Sequence, residues 1–402
     1  MPALRTAALN IQADFDADDF LQHYWQQKPL LLRDAIDVSG IDISAEELAG
    51  LACEENVNAR LVLEHDGDYP WQVEHAPFDE SRFSTLPSSG WSLLVSDVER
   101  HVPATRRLLE AFRFIPDWRI DDLMISYAPP GGSVGAHTDA YDVFLIQLSG
   151  QRRWQISEHF DDAVLEGTDL RILQSFSAEQ DWVLDAGDML YLPPNIAHHG
   201  IAQQSLDQAG NQQHCLTASV GFRAPSVETM TSSFVDYLNH QADDHQARSE
   251  RRYQDRSPGI PKHHAEIDQT TIDTFVDYLK QNLNTEPEQV RRWLGEYCSD
   301  NTAFEQLNFE NDIPCADFDT LRRLANETQL RLSPYSNCLF SRSGTDAMLF
   351  INGASYQTSA GFAEIFCSDG IVDQALLGLS SAEELELLQH LYNEGIILAQ
   401  EE

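Results

Sequence analysis

The sequence predicts a mainly β body with a helical lead-in, then a helical middle segment, then a small α+β unit. Three observations predict it. Between residues 120 and 225, short apolar runs (LMISYA, DVFLIQLS, RRWQIS, DMLYL, CLTASVGF) alternate with Pro, Gly and Asn turns, the texture of a sandwich or barrel. From Ser226 the apolar residues recur at three- and four-residue steps, the helical period. Near the end, the segment Ala347 to Tyr356 centres on Asn352-Gly353, a strong hairpin-turn dipeptide.

Taken in order, residues 14–28 read as a helix with an Asp-rich start, because Phe20, Leu21, Tyr24 and Trp25 share a face. Pro29 then forces an extended course into Leu30, Leu31 and Leu32. The strand series follows, and helices are expected over 226–250, 267–284 and 286–298, with Ser257 to His264 (SPGIPKHH) as a loop. At 402 residues the chain exceeds the ~250–300 that one core usually serves, so three units are expected: 1–225, 226–300 and 301–402.

The charge balance is unusual. Against 65 Asp plus Glu stand 26 Lys plus Arg, a net charge of −39, and only Lys28, Lys262 and Lys280 are lysines. Such a surface repels phosphate, which argues against coating nucleic acid or an anionic membrane, and favours basic partners or a plain solubility or salt adaptation. The six cysteines contain no C-x-x-C pair and suit a reducing compartment. No secretory leader is apparent and no run of ~18 uncharged apolar residues occurs, so a cytoplasmic protein is expected.

His137 and Asp139 are ligand-type residues at i and i+2, which on a strand point to one side. Spacing alone decides nothing, because His-x-acid also occurs at His159/Asp161 and His264/Glu266, about the number chance would supply. Context separates them. His137 follows the turn Pro129 to Gly132 and precedes an apolar strand, whereas the others fall in polar connections. Downstream, a strand ending at Pro193-Pro194 with His198 just beyond can return a third ligand. Two histidines and one carboxylate leave one face of an octahedral ion open, as in non-haem Fe(II) oxygenases. A structural zinc site would prefer four closed ligands, commonly with cysteine. After Gly150, Arg152 shares a strand face with Trp154 and Ile156, and Arg153 shares one with Gln155. Arg152 is therefore expected inside the barrel, where a guanidinium requires an anion, either a carboxylate cosubstrate or a protein carboxylate.

The runs GGSVGAHTDAYDVFLIQLSGQRRW, GDMLYLPPNIAHHG and FLQHYWQQKPLLLR together resemble the JmjC-type cupin 2-oxoglutarate oxygenases. More narrowly they resemble the bacterial ribosomal-protein arginine hydroxylases, relatives of the nucleolar histidyl hydroxylases of animals. The likeness covers residues 1–225 and implies a double-stranded β-helix there, with a helical dimerisation region over 226–300 and a winged-helix-like domain over 301–402. It implies His137, Asp139 and His198 as Fe(II) ligands and Arg152 as partner of the distal carboxylate of 2-oxoglutarate. His198, two residues before Gly200, is favoured over His199, and His214 reads as a structural or rim residue.

The resemblance further implies oxidative decarboxylation of 2-oxoglutarate by dioxygen, coupled to β-hydroxylation of an arginine in ribosomal protein sixteen of the large subunit. A basic ribosomal substrate suits an acidic enzyme. Tyr141 and Asp142 are candidates for walls around the substrate guanidinium, each also readable as an ordinary strand-end residue. Rival readings are a histidyl or small-molecule hydroxylase, a metal-dependent cupin isomerase, and a non-catalytic cupin scaffold whose tail regulates transcription. The last is disfavoured, since residues 301–402 carry 16 acidic residues against Arg322, Arg323, Arg331 and Arg342, and a DNA-reading winged helix needs a basic face.

Overall fold

The Asp16 carboxylate accepts hydrogen bonds from the backbone N–H groups of Asp18 and Asp19 and so starts a helix at Ala17. That helix, Ala17–His23, is shorter than the 14–28 expected, because Gln26 takes a left-handed backbone (φ 57°) ahead of Pro29. The turn delivers the chain into β1 (Leu30–Leu32). Phe20 is 1% exposed, with its ring against Tyr191 at 4.9 Å and Phe144 at 5.5 Å, so the lead-in is bolted to the β body by aromatic packing.

The computed structural model describes residues 11–12, 15–65, 71–206, 209–244, 267, 269–283, 285–300 and 317–400. The chain divides into two compact units, Met1–Ala224 and Pro225–Glu402. In the first, the strands are β2 (Ala59–Glu64), β3 (Trp71–His75), β4 (Trp91–Val95), β5 (Ile120–Ala128), β6 (Asp142–Ser149), β7 (Gln151–Ser157), β8 (Gln180–Leu184), β9 (Met189–Leu192), β10 (Ala197–Gln203) and β11 (Cys215–Phe222). An eight-stranded antiparallel sheet runs β1-β9-β6-β11-β5-β4-β2-β3, and a three-stranded sheet runs β10-β7-β8. The expected strand series held only the strands from β5 onward. β2, β3 and β4 extend the large sheet from a stretch in which the sequence reading named no elements, their runs of five or six residues being too short to show a period.

Strand alternation splits β6 and β9 between two cores. Phe144, Ile146, Leu148, Met189 and Tyr191 pack on the helical lead-in. Val143, Leu145, Leu190 and Leu192 meet Trp154, Ile156 and Leu184 of the small sheet. These two strands are thus covered on both faces, and they read as largely apolar runs rather than as alternating ones.

In the second unit, helices cover Val227–Asp244, Gln269–Asn282 and Pro287–Ser299. Residues 245–250 of the first expected helix, and the expected loop Ser257 to His264, lie outside the described residues. The Asn352-Gly353 turn forms with both residues at positive φ and joins β14 (Asp346–Ile351) to β15 (Ala354–Ser359). β13 (Cys338–Ser343), which periodicity did not single out, completes that sheet. A second small sheet pairs β12 (Gln329–Leu332) with β16 (Ile371–Val372) and β17 (Ile397–Gln400). No helix among the described residues is long and apolar enough to cross a membrane.

Glu99 is buried, and its carboxylate accepts the Leu123 N–H of β5 at 3.2 Å. Burial first, and then the nearby Asp97, push its pKa up to about 7 from 4.5. The folded chain therefore binds this proton more tightly than the unfolded chain does, and stability falls as pH rises from about 4.5 to about 7. Glu99→Gln is expected to gain on the wild type by roughly 3 kcal/mol at pH 8 and by little at pH 4. Urea unfolding at the two pH values checks it.

Candidate metal centre

The site begins with a backbone pair. His137 N–H donates to the His198 carbonyl at 3.0 Å, and His198 N–H donates to the His137 carbonyl at 2.9 Å. An antiparallel pair that exchanges both bonds sets its two side chains on one face, and here the imidazole centroids are 4.2 Å apart. The Asp139 carbonyl accepts the N–H of Asn195, whose left-handed backbone (φ 63°) turns the chain after Pro193-Pro194 toward β10. The Asp139 carboxylate then lies 3.9 Å from His137 Nε2 and 3.6 Å from His198 Nε2. One ligand atom from each of the three residues falls within 4.8 Å of the other two.

Each imidazole is oriented by a carbonyl two residues earlier. His137 Nδ1 is 3.0 Å from the Gly135 carbonyl, and His198 Nδ1 is 3.0 Å from the Ile196 carbonyl. An acceptor at Nδ1 places the proton there and leaves the Nε2 lone pair aimed at the carboxylate, the tautomer a metal needs. Spacing could not reveal these partners, because they are backbone atoms. Gly135 sits at φ 81°, and a Cβ there would meet the Ile172 side chain at 2.9 Å. Burial, followed by the proximity of His137, holds the pKa of His198 well below the ordinary histidine value, so it stays neutral at physiological pH.

Arg152 enters the same cavity, as the alternation of β7 predicts. It is 3% exposed, and its Nε and Nη2 have no hydrogen-bond partner. Its neighbour Arg153 faces out and pairs with the Asp181 carboxylate. The cavity measures about 690 Å³ and is lined by all four residues together with Trp154 and Ile172. The alternative histidine, His199, turns to the other side of β10, where its ring meets Phe176. His214 stacks on Tyr127.

One candidate is corrected. Asp142 is not a wall of the cavity: it is wholly buried on the lead-in side of β6, accepting from Tyr191 Oη at 2.6 Å and Gln26 Nε2 at 2.9 Å, with Arg119 Nη2 at 3.4 Å. Tyr141 does line the cavity, half-exposed at its rim. The cavity carboxylates that sequence reasoning missed are Asp97, Asp121, Asp122 and Asp169. Burial first, and then Asp97 and Asp121, raise the Asp122 pKa to about 6. Asp121 and Asp122 stand at the start of β5, and no spacing motif links them to His137.

A β body of this topology, with two histidines, a carboxylate and a partnerless inward arginine in one cavity, defines a cupin-type oxygenase centre. Comparison with known proteins gives the family. The JmjC domain family matches residues 107–230. The chain is 38% identical over 294 residues to the ribosomal protein uL16 3-hydroxylase of Escherichia coli K12, spanning 72% of this chain and 73% of that protein. It is 36% identical over 248 residues to a probable ribosomal oxygenase of Haemophilus influenzae, spanning 61% of this chain and 58% of that one. It superposes on the crystal structure of E. coli YcfD with a TM-score of 0.82 at 32% identity, over 97% of this chain and all of that one. YcfD described as a ribosomal oxygenase in complex with cobalt and 2-oxoglutarate matches with a TM-score of 0.78 at 31% identity, over 98% of this chain and all of that one. The chain belongs to the JmjC-domain ribosomal oxygenases.

Removing the Asp142 carboxylate leaves the Tyr191 hydroxyl and the Arg119 guanidinium without it in a buried setting. Asp142→Ala is expected to cost about 3–5 kcal/mol in urea unfolding. Its divalent-metal affinity, measured by calorimetry on the folded variant, should match the wild type, since the side chain faces away from the metal centre.

Proposed function

We propose that this protein is an Fe(II)- and 2-oxoglutarate-dependent hydroxylase that places one oxygen atom on the β-carbon of an arginine in ribosomal protein uL16. The observation that carries the reading is the convergence of His137, Asp139, His198 and the partnerless Arg152 on one cavity. His137, Asp139 and His198 would hold the metal. Bound there, Fe(II) supplies activation of dioxygen and the oxidative decarboxylation of 2-oxoglutarate. Arg152 would take the cosubstrate's distal carboxylate, which satisfies both orphaned guanidinium nitrogens.

The chain's own residues do the positioning. The carbonyls of Gly135 and Ile196 fix the two imidazoles, and Trp154, Ile172, Val143 and Leu145 wall the site with apolar surface that excludes water. Asp122, ionised above pH ~6, offers a cationic side chain a carboxylate, beside Asp97 and Asp121, which already pair with Arg100 and Arg223. The net charge of −39 draws a basic ribosomal protein by long-range attraction and disfavours direct binding of nucleic acid.

The same reading assigns residues 1–225 to catalysis, 226–300 to homodimerisation and 301–402 to a winged-helix-like domain, in a cytoplasmic protein. Self-association is supported by the helix Gln269–Asn282, where Ile272, Phe275, Val276 and Leu279 form an exposed apolar stripe with Leu279 62% exposed.

Purified ribosomal proteins incubated with the enzyme, Fe(II) and ascorbate should gain one oxygen on an arginine-containing peptide of uL16, only when 2-oxoglutarate is added. Succinate without peptide oxidation would point to another substrate, and neither product would sink the oxygenase reading. Asp139→Ala is expected to retain its circular dichroism and lose all turnover, whereas full activity would overturn the metal assignment. Arg152→Ala is expected to raise the KM for 2-oxoglutarate about thirtyfold or more, the equivalent of losing ~2 kcal/mol from a buried charge pair. Leu279→Glu should shift the sedimentation coefficient from dimer to monomer.

A further inference from the structure

Cys338 opens β13 and Cys367 lies near the end of the helix Ala360–Asp369, 29 positions further along the chain. Their sulfurs are 3.0 Å apart, inside van der Waals contact and about 1 Å beyond the ~2.05 Å of a disulfide. Both thiols are free and both are partly exposed. The flanking elements are well anchored. Cys338 pairs across the sheet with Ile351, and the helix is capped by Ser359 at its start and by Gly370, in the left-handed region, at its end. A pair held this way can close with a shift of about 1 Å and no change of fold.

We propose that Cys338 and Cys367 form a reversible redox site in the C-terminal unit, oxidised to a disulfide by small disulfides of the glutathione type. The Cys367 sulfur, as thiolate, attacks one sulfur of the small disulfide and expels a thiolate, which leaves a mixed disulfide on Cys367. The Cys338 sulfur then attacks the Cys367 sulfur and expels the second small thiol. Two protein thiols and one small disulfide become one protein disulfide and two small thiols, and the two protons leave with them. The first attack falls to Cys367 because the hydrogen bond with Cys367, and then burial, raise the pKa of Cys338 and keep its proton in place. The product staples the helix to the edge of the β13-β14-β15 sheet by closing a loop of nearly thirty residues.

The test uses the full-length protein, equilibrated over a range of oxidised-to-reduced glutathione ratios, quenched in acid, denatured and alkylated. Intact and peptide mass spectrometry should show loss of two hydrogen atoms and of two alkylation sites, with a peptide cross-linked between Cys338 and Cys367. Cys338→Ser should stop at the glutathione adduct on Cys367, and Cys367→Ser should form no cross-link at Cys338. Thermal unfolding should rise by about 5–10 °C on oxidation of the wild type and stay unchanged in the Cys338→Ser/Cys367→Ser double variant. A cross-link to any other cysteine, only mixed disulfides in the wild type, or an unfolding temperature that oxidation leaves fixed or lowers would overturn the proposal.

Discussion

The reciprocal backbone hydrogen bonds between His137 and His198 are the constraint on which the site depends. They tie the segment leading into β6 of the large sheet to β10 of the small one, so the two sheets meet where the two imidazoles project. Each residue gives its own N–H and C=O to the other, and the side chains are left close on one face, their rings tilted by 58°, without any direct bond between them. A metal site built this way needs no long side chain to reach across a gap. Asp139 follows two residues after His137 on the same face, and its carbonyl accepts the N–H of Asn195 from the turn between β9 and β10. The geometry therefore rests on main-chain pairing, which single side-chain substitutions leave in place.

A second level of organisation is electrical. Three of the charges taken out of water in the catalytic unit are each treated differently. Asp142 is satisfied by a tyrosine hydroxyl, a glutamine amide and a guanidinium, and serves the joint with the helical lead-in. Glu99 is satisfied in part by a backbone N–H and holds its proton to an unusually high pH. Arg152 alone keeps two nitrogens without partners. A guanidinium cannot shed its proton to escape that situation, so its lowest-energy state is one with an anion beside it. Of the three, only Arg152 is structurally incomplete, and it is the one that opens into the metal cavity.

How much of this the sequence disclosed follows from where alternation carries information. On β7 only one face is apolar, and RRWQIS assigns Arg152 inward and Arg153 outward without ambiguity, as found. On β10, residues 198 and 199 fall on opposite faces by the same parity. On β6 both faces are buried, the run DVFLIQLS has no polar phase, and parity could not place Asp142, which turned out to face the lead-in. The strands β2 and β4 escaped notice for the related reason that they are short and mostly buried on both sides, and the five-residue β3 because it has no buried face. The carbonyls of Gly135 and Ile196, the acidic trio Asp97, Asp121 and Asp122, and the Cys338–Cys367 pair depend on contacts between distant segments and carry no local signal.

The cavity is polarised by its two walls. The small sheet contributes the buried guanidinium of Arg152, and the large sheet contributes the carboxylate of Asp122 at the start of β5, while the neighbouring Asp121 and Asp97 pair with Arg223 and Arg100. A small dicarboxylate and a cationic side chain would both be drawn into the one space, yet each is repelled from the other's seat. Sorting by charge requires no moving part, because burial keeps both fields strong where water would screen them. The acidic exterior acts with the carboxylate wall, concentrating basic protein near the mouth while opposing free dicarboxylate. On the proposed reading the anion needs a locally stronger attraction, and an arginine left with unmatched nitrogens at 3% exposure would supply it. On this argument the strongly negative surface and the buried, partnerless arginine belong to one design: the more the exterior repels the cosubstrate, the more complete its pairing inside has to be.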